Sequence, residues 1–139
     1  MRELKPILID KYILAALRED MTSGDITTDS ILKDEKAEVN LIAKDKGILA
    51  GLDVFKRVFE LLDEDVTFEF YFSDGDEVNN KDLVGKIRGR AKAILEGERT
   101  ALNFLQRMSG IATYTKKMVD ALDSEHVKIL DTRKTTPNM

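Results

Sequence analysis

The sequence predicts an α+β fold, and three observations carry that prediction. Helical and strand-like segments alternate irregularly, in the order helix, strands, helix, strands, long helix, strand. The stretch Val66–Phe72 is β-branched and aromatic and ends in an Asp-Gly turn signal. From about Lys92 to about Leu122 runs one long helical pattern, weakened only at Ser109-Gly110.

Taken in order, the first element is a helix. Leu8, Ile9, Ile13, Leu14, Ala16 and Leu17 recur at helical spacing within Ile7–Leu17. Glu19 to Asp29 is rich in turn formers and possible helix caps. Ala37–Lys44 alternates in part and reads as a strand. Lys46–Gly51 reads as a second, short strand ending on glycine. Leu52–Leu62, with Val54, Phe55, Val58, Phe59, Leu61 and Leu62, is an amphipathic helix. After the strand at Val66–Phe72, the run Ser73–Val78 reads as a hairpin turn. Leu83–Arg90 is another strand. The long helix follows, and then His126–Leu130, a short apolar run that predicts a strand leading into Asp131–Pro137. That last strand ends in a polar cluster, one step into a further unit, so the chain reads as the N-terminal portion of a longer enzyme.

Composition narrows the function classes. The chain has 139 residues, of which 42% are apolar and 35% charged, with 2 Pro and 8 Gly, so one packed core is affordable and a disordered reading is excluded. With 0 Cys there is no disulfide framework, no thiolate metal site and no cysteine nucleophile, and a reducing cytoplasm is the default compartment. A net charge of −4 argues against a general nucleic-acid coat. No apolar stretch is long enough for a membrane span, and the N-terminus carries no apolar signal core.

Two groups of residues carry possible chemistry. On an ideal helix each residue turns about 100°. Setting Ile94 at zero places Leu95, Ala101, Leu102, Leu105, Met108 and Ala112 in one arc of roughly 140°, the expected buried face, with Glu98 near its middle. Arg99 and Gln106 fall at its edge. A carboxylate in an apolar stripe needs a partner. Arg99 can supply it as a structural ion pair, or can reach past the stripe to an anion. The second group is Asp131-Thr132-Arg133-Lys134-Thr135-Thr136. Two cations and three hydroxyls after a strand offer a fork for a carboxylate or phosphate and a compact charge beside it. The plain alternative is a solvated loop.

Other patterns carry less. Ser73–Glu77 lacks the distal acid of a calcium loop, since that position is Gly85. Gly85–Gly89 lacks the order of a phosphate-binding loop. His126 is the only histidine and reads as a helix-end cap, so a multi-ligand zinc site is excluded.

The stretch Gly97–Thr113 resembles the signature helix of quinolinate phosphoribosyltransferase, the carboxylating nicotinate-nucleotide pyrophosphorylase. Leu130–Pro137 resembles the same family's first barrel strand and loop. Glu19-Asp20 through Gly24–Thr28, Gly47–Gly51 and Asp74–Asp76 fit in order and spacing. The resemblance implies a hammerhead-type α/β sandwich over residues 1–110. It implies a connecting helix and the first strand and loop of an α/β barrel, not completed here, over 111–139. It further implies transfer of a phosphoribosyl group from phosphoribosyl pyrophosphate to quinolinate, with decarboxylation to nicotinate mononucleotide, a glycosyltransferase step of NAD biosynthesis. Arg99 and Arg133 would then hold quinolinate carboxylates. Lys134 would be catalytic and contact the phosphoribosyl group or the substrate pair, and Thr132 and Thr135 would orient these side chains. Magnesium is implied as cofactor, with ligands outside this segment, and a homodimer or higher assembly with a shared site, the sandwich domain lying across the partner's barrel. The segment alone is expected to be inactive. A molybdenum-transport-associated relative of the family, or a stand-alone binding or assembly module, are the competing readings.

Overall fold

The structure, a computed structural model, describes residues 6–21, 35–124 and 126–135. The turn-rich stretch expected at Glu19–Asp29 therefore lies, from Thr22 onward, outside the described residues, as do Thr136 and Pro137. Three helices are described: α1 (Pro6–Asp20), α2 (Leu52–Glu60) and α3 (Ala91–Leu122). The strands are β1 (Lys36–Ile42), β2 (Gly47–Ile48), β3 (Thr67–Phe70), β4 (Glu77–Val78) and β5 (Leu83–Arg90). The mixed α and β order expected from the sequence is observed through the long helix α3, with which the described elements end.

Alternation in three strands builds the main sheet. It is antiparallel in the order β1-β5-β3, with Val39 opposite Ile87 and Ile87 opposite Phe68. Side chains two apart share a face. Ala37, Val39 and Leu41 thus line up with Gly85, Ile87 and Gly89 and with Phe68 and Phe70 on the inner face. On the outer face Glu38 pairs with Lys86 and Arg88, and Arg88 also reaches Glu69. These pairs are solvated and add little stability.

The inner face is covered by helices. Phe55 and Phe59 meet edge to face at 5.2 Å, Phe55 lies 6.4 Å from Phe70, and Phe59 lies 6.1 Å from Phe68. Ile13 and Leu17 of α1 complete the core at 1% and 4% exposure. Leu8 and Leu14, read from spacing as part of the same face, are instead exposed at 62% and 37%. Asp10 fixes α1 to α2: Arg57 donates from Nε to Oδ1 at 2.9 Å and from Nη2 to Oδ2 at 2.8 Å. That fork holds the Asp10 carboxyl below the usual carboxylate range.

The long helix is continuous through Ser109-Gly110, but its buried face differs from the expected one. Ala93, Ile94, Gly97, Thr100, Ala101 and Leu105 are buried. Leu95 is 52% exposed and Glu98 is exposed, so no carboxylate sits within the stripe. The face is rotated towards Gly97 and Thr100, small residues that hydropathy undervalues. At Gly97 a Cβ would stand 2.9 Å from Phe59 Cδ1 and 3.0 Å from Leu62 Cδ1, so the glycine permits the close approach of α2 and α3. Asp63, 3% exposed, anchors the start of α3 by accepting from the Arg90 backbone N–H at 3.1 Å and its Nη2 at 3.2 Å. Those bonds, the backbone one first, hold its carboxyl below the ordinary range.

Two sequence expectations are corrected. The Asp74-Gly75 turn forms, with Gly75 at φ +99°, but it closes no hairpin. β3 pairs with β5, and β4 pairs with β2. The turn is held instead by the residue just after β2, Gly75 N–H donating to Leu49 O at 2.8 Å. The second correction is at His126–Leu130, where no strand forms. A strand needs a hydrogen-bonded neighbour, and among the described residues this run has none.

Asp74 gains a structural role. Gly51 begins α2 in the left-handed region, φ +103°, and has no side chain with which to cap it. Asp74 serves from across the fold, accepting from Gly51 N–H at 2.9 Å and Leu52 N–H at 3.0 Å. Asp74→Ala is expected to lower unfolding stability by about 1–2 kcal/mol, the upper range for a lost cap, as read by urea denaturation. No change would show the cap to be dispensable.

Candidate active site

A stripe of α3 that brings two arginines to one cavity is on its outward side. Arg99, Asn103 and Arg107 follow at four-residue steps, so their Cβ atoms stand about 5–6 Å apart in one row. Together with Ala16, Glu19 and Asp20 at the end of α1 they line a cavity of about 620 Å³. The Arg99 side chain is 74% exposed, and its Nη1 donates to Asp20 Oδ1 at 2.9 Å. Glu19 and Arg107 have partners of their own. Chemically the row offers guanidinium donors and an amide to an anionic ligand, on a protein whose net charge is negative.

Of the residues singled out in the sequence, Arg99 is thus placed at a cavity. Thr132, Arg133, Lys134 and Thr135 are exposed, and none of them lines that cavity. Lys134 N–H donates to Thr132 Oγ1 at 3.2 Å, a local turn of the kind hydroxyl residues make. His126 caps no helix with its ring; its backbone N–H donates to Ser124 Oγ at 3.2 Å. Among the described residues no group of three or more His, Asp or Glu gathers to hold a metal ion. No described helix is long and apolar enough to cross a membrane.

Sequence reasoning missed Asn103, Arg107 and Asp20. The first two were legible as four-residue steps from Arg99. Asp20 was not, because it lies 79 residues from its partner.

A second set of contacts explains the Gly47–Gly51 stretch. Ile48 N–H donates to Thr113 Oγ1 at 2.8 Å and Ala50 N–H to Ser109 Oγ at 3.0 Å. Hydroxyls on α3 thus satisfy backbone donors beside β2 and lock the middle of the helix to the domain. Beyond this lock Ile111, Tyr114, Met118, Val119 and Leu122 are exposed at helical spacing, an apolar face with no cover among the described residues.

Residues 25–109 match the family model described as quinolinate phosphoribosyl transferase, N-terminal domain, and residues 111–139 match the corresponding C-terminal domain. The chain belongs to the quinolinate phosphoribosyl transferase family. It is 45% identical over 121 residues to a probable carboxylating nicotinate-nucleotide pyrophosphorylase of Bacillus subtilis, covering 87% of this chain and 42% of that protein. It is 41% identical over 144 residues to the mitochondrial decarboxylating quinolinate phosphoribosyltransferase 2b of Nicotiana tabacum, covering 99% of this chain and 40% of that protein. Among solved structures it is similar to NadC from Streptococcus pyogenes, with TM-score 0.91 and 50% identity, over 97% of this chain and 49% of that one. The nicotinate-nucleotide pyrophosphorylase of Francisella tularensis follows the same fold at TM-score 0.87 and 32% identity. The chain spans less than half the length of these family members.

Proposed function

We propose that this chain supplies part of the active site of an enzyme that transfers the phosphoribosyl group of phosphoribosyl pyrophosphate to quinolinate and decarboxylates the adduct. The observation that carries the reading is the family match along both segments of the chain, with relatives named for this activity. The row of cations at the Arg99 cavity suits it. The quinolinate ring nitrogen attacks the anomeric carbon, and the bond from that carbon to pyrophosphate breaks. The bond from the ring to the 2-carboxylate then breaks, carbon dioxide leaves, and the electron pair left on the ring carbon takes a proton. The products are nicotinate mononucleotide, pyrophosphate and carbon dioxide.

Quinolinate is a dianion, so its site requires preorganised cations in a water-poor cleft. Arg99 and Arg133 are the residues we assign to its carboxylates, Lys134 to the phosphoribosyl group as a catalytic and binding residue, and Thr132 and Thr135 to orienting them. Because Arg99 and the 132–135 segment line no common cavity, the assignment fits a site completed by further chain and shared between subunits of a homodimer. Magnesium belongs to the same proposal, but among the described residues no group of three or more His, Asp or Glu gathers to hold it. The cytoplasm is where we place the reaction.

The roles of Arg133 and Lys134 are separable in the full-length enzyme. Arg133→Lys keeps the charge and loses the fork. It is expected to weaken quinolinate binding by about 1.5–3 kcal/mol, the scale of a charged hydrogen bond, and to leave phosphoribosyl pyrophosphate binding unchanged. Lys134→Ala is expected to do the reverse. Calorimetric titration of both ligands decides it, and equal losses for both would mean one undivided anion site.

A further inference from the structure

We infer that Asp20 is a positioning residue for the quinolinate site, holding the Arg99 guanidinium by one corner and leaving its other donors for a substrate carboxylate. The inference rests on the reading of Arg99 given above. A guanidinium carries five N–H donors. Among the described residues Arg99 has one ion-pair partner, and that contact, Nη1 to Asp20 Oδ1 at 2.9 Å, is single rather than forked. The Nε and Nη2 edges remain for a ligand in the cavity the two residues share.

The two members of the pair are held differently. The Asp20 side chain is 24% exposed and that of Arg99 74%, so the acid is the more enclosed member of the pair. Asp20 is the last residue of α1, which is fixed by buried Ile13 and Leu17 and by the Asp10–Arg57 fork. A carboxylate at a helix C-terminus opposes the helix dipole, which favours cations there. Asp20 therefore occupies an unfavourable place as far as α1 alone is concerned, and Arg99 is the charge that compensates it. An unrestrained arginine loses rotamer freedom when a ligand captures it. Held by Asp20, Arg99 has lost part of that freedom before quinolinate arrives. An exposed pair of this kind contributes little to stability, so its effect falls on binding.

The test uses the full-length enzyme, with quinolinate and phosphoribosyl pyrophosphate as separate calorimetric probes. Asp20→Asn is expected to raise the quinolinate Kd roughly three- to fivefold, the range of an exposed ion pair's coupling. Phosphoribosyl pyrophosphate binding, kcat at saturating quinolinate and Tm should stay as they are. Asp20→Glu should recover part of the loss. In an Arg99→Ala background Asp20→Asn should add nothing, because Asp20 acts only through Arg99. If Arg99→Ala weakens quinolinate binding but Asp20→Asn leaves it unchanged or tightens it, the inference is overturned, tightening meaning that Asp20 competes with the substrate for Arg99. If Arg99→Ala itself has no effect on quinolinate, the assignment of Arg99 fails, and the inference falls with it.

Discussion

Phe55→Ala is expected to destabilise the fold by about 3–5 kcal/mol, the usual loss for a large aromatic side chain removed from a core. Phe55 is 1% exposed and is the point where α2 meets both its own Phe59 and Phe70 of β3. Removing the ring takes away two aromatic contacts and leaves a cavity that Val58 and Ile13, themselves almost fully buried, cannot collapse into without moving α1 or α2. Total stabilities of single domains are about 5–15 kcal/mol, so this one change removes a large share. Urea denaturation measures it from the shift in midpoint at constant slope. A loss under about 1 kcal/mol, the range of ordinary surface and mild core changes, would contradict the packing described here.

Arg99→Ala is expected to have the opposite profile. Its side chain is 74% exposed, so unfolding stability should move by no more than about 0.5 kcal/mol. In the full-length enzyme kcat/KM for quinolinate should fall by roughly 10²–10³, the scale of one lost preorganised donor. The KM for phosphoribosyl pyrophosphate should hold. The shared-site proposal adds a mixing result: Arg99→Ala chains hybridised with Lys134→Ala chains should recover one working site per dimer. Hybrids that form and recover nothing would place Arg99 in its own subunit's site.

The elements were legible in the sequence where a local pattern coincides with the burial it implies. Val66–Phe72 alternates, and Phe68 and Phe70 do face the core. The strand at Ala37–Lys44 and the helix at Leu52–Leu62 follow the same logic. Pairing was not legible, because it is set at a distance: the Asp74-Gly75 turn predicts a hairpin, yet β4 joins β2. The orientation of α3 was misread because periodicity scores side-chain hydropathy, whereas its closest contact is made by Gly97, which has no side chain. Beyond residue 110 the periodicity marks an apolar face that has no cover among the described residues, and the family's C-terminal domain match begins at residue 111. The same reason accounts for His126–Leu130, whose apolar run lacks a neighbouring strand among the described residues. At the candidate site Arg99 was legible from its place at the edge of a helix face. Its pairing with Asp20 joins two elements far apart in the chain and becomes visible only in the fold.

Product formation by the full-length enzyme tests the central claim most directly. Quinolinate labelled at its 2-carboxylate is incubated with phosphoribosyl pyrophosphate and magnesium, and nicotinate mononucleotide, pyrophosphate and released carbon dioxide are measured together. The account predicts all three in equal amounts, with the label wholly in the carbon dioxide, and a quinolinate dependence that Arg99→Ala impairs. A folded enzyme that binds both substrates and yields no nicotinate mononucleotide would contradict it.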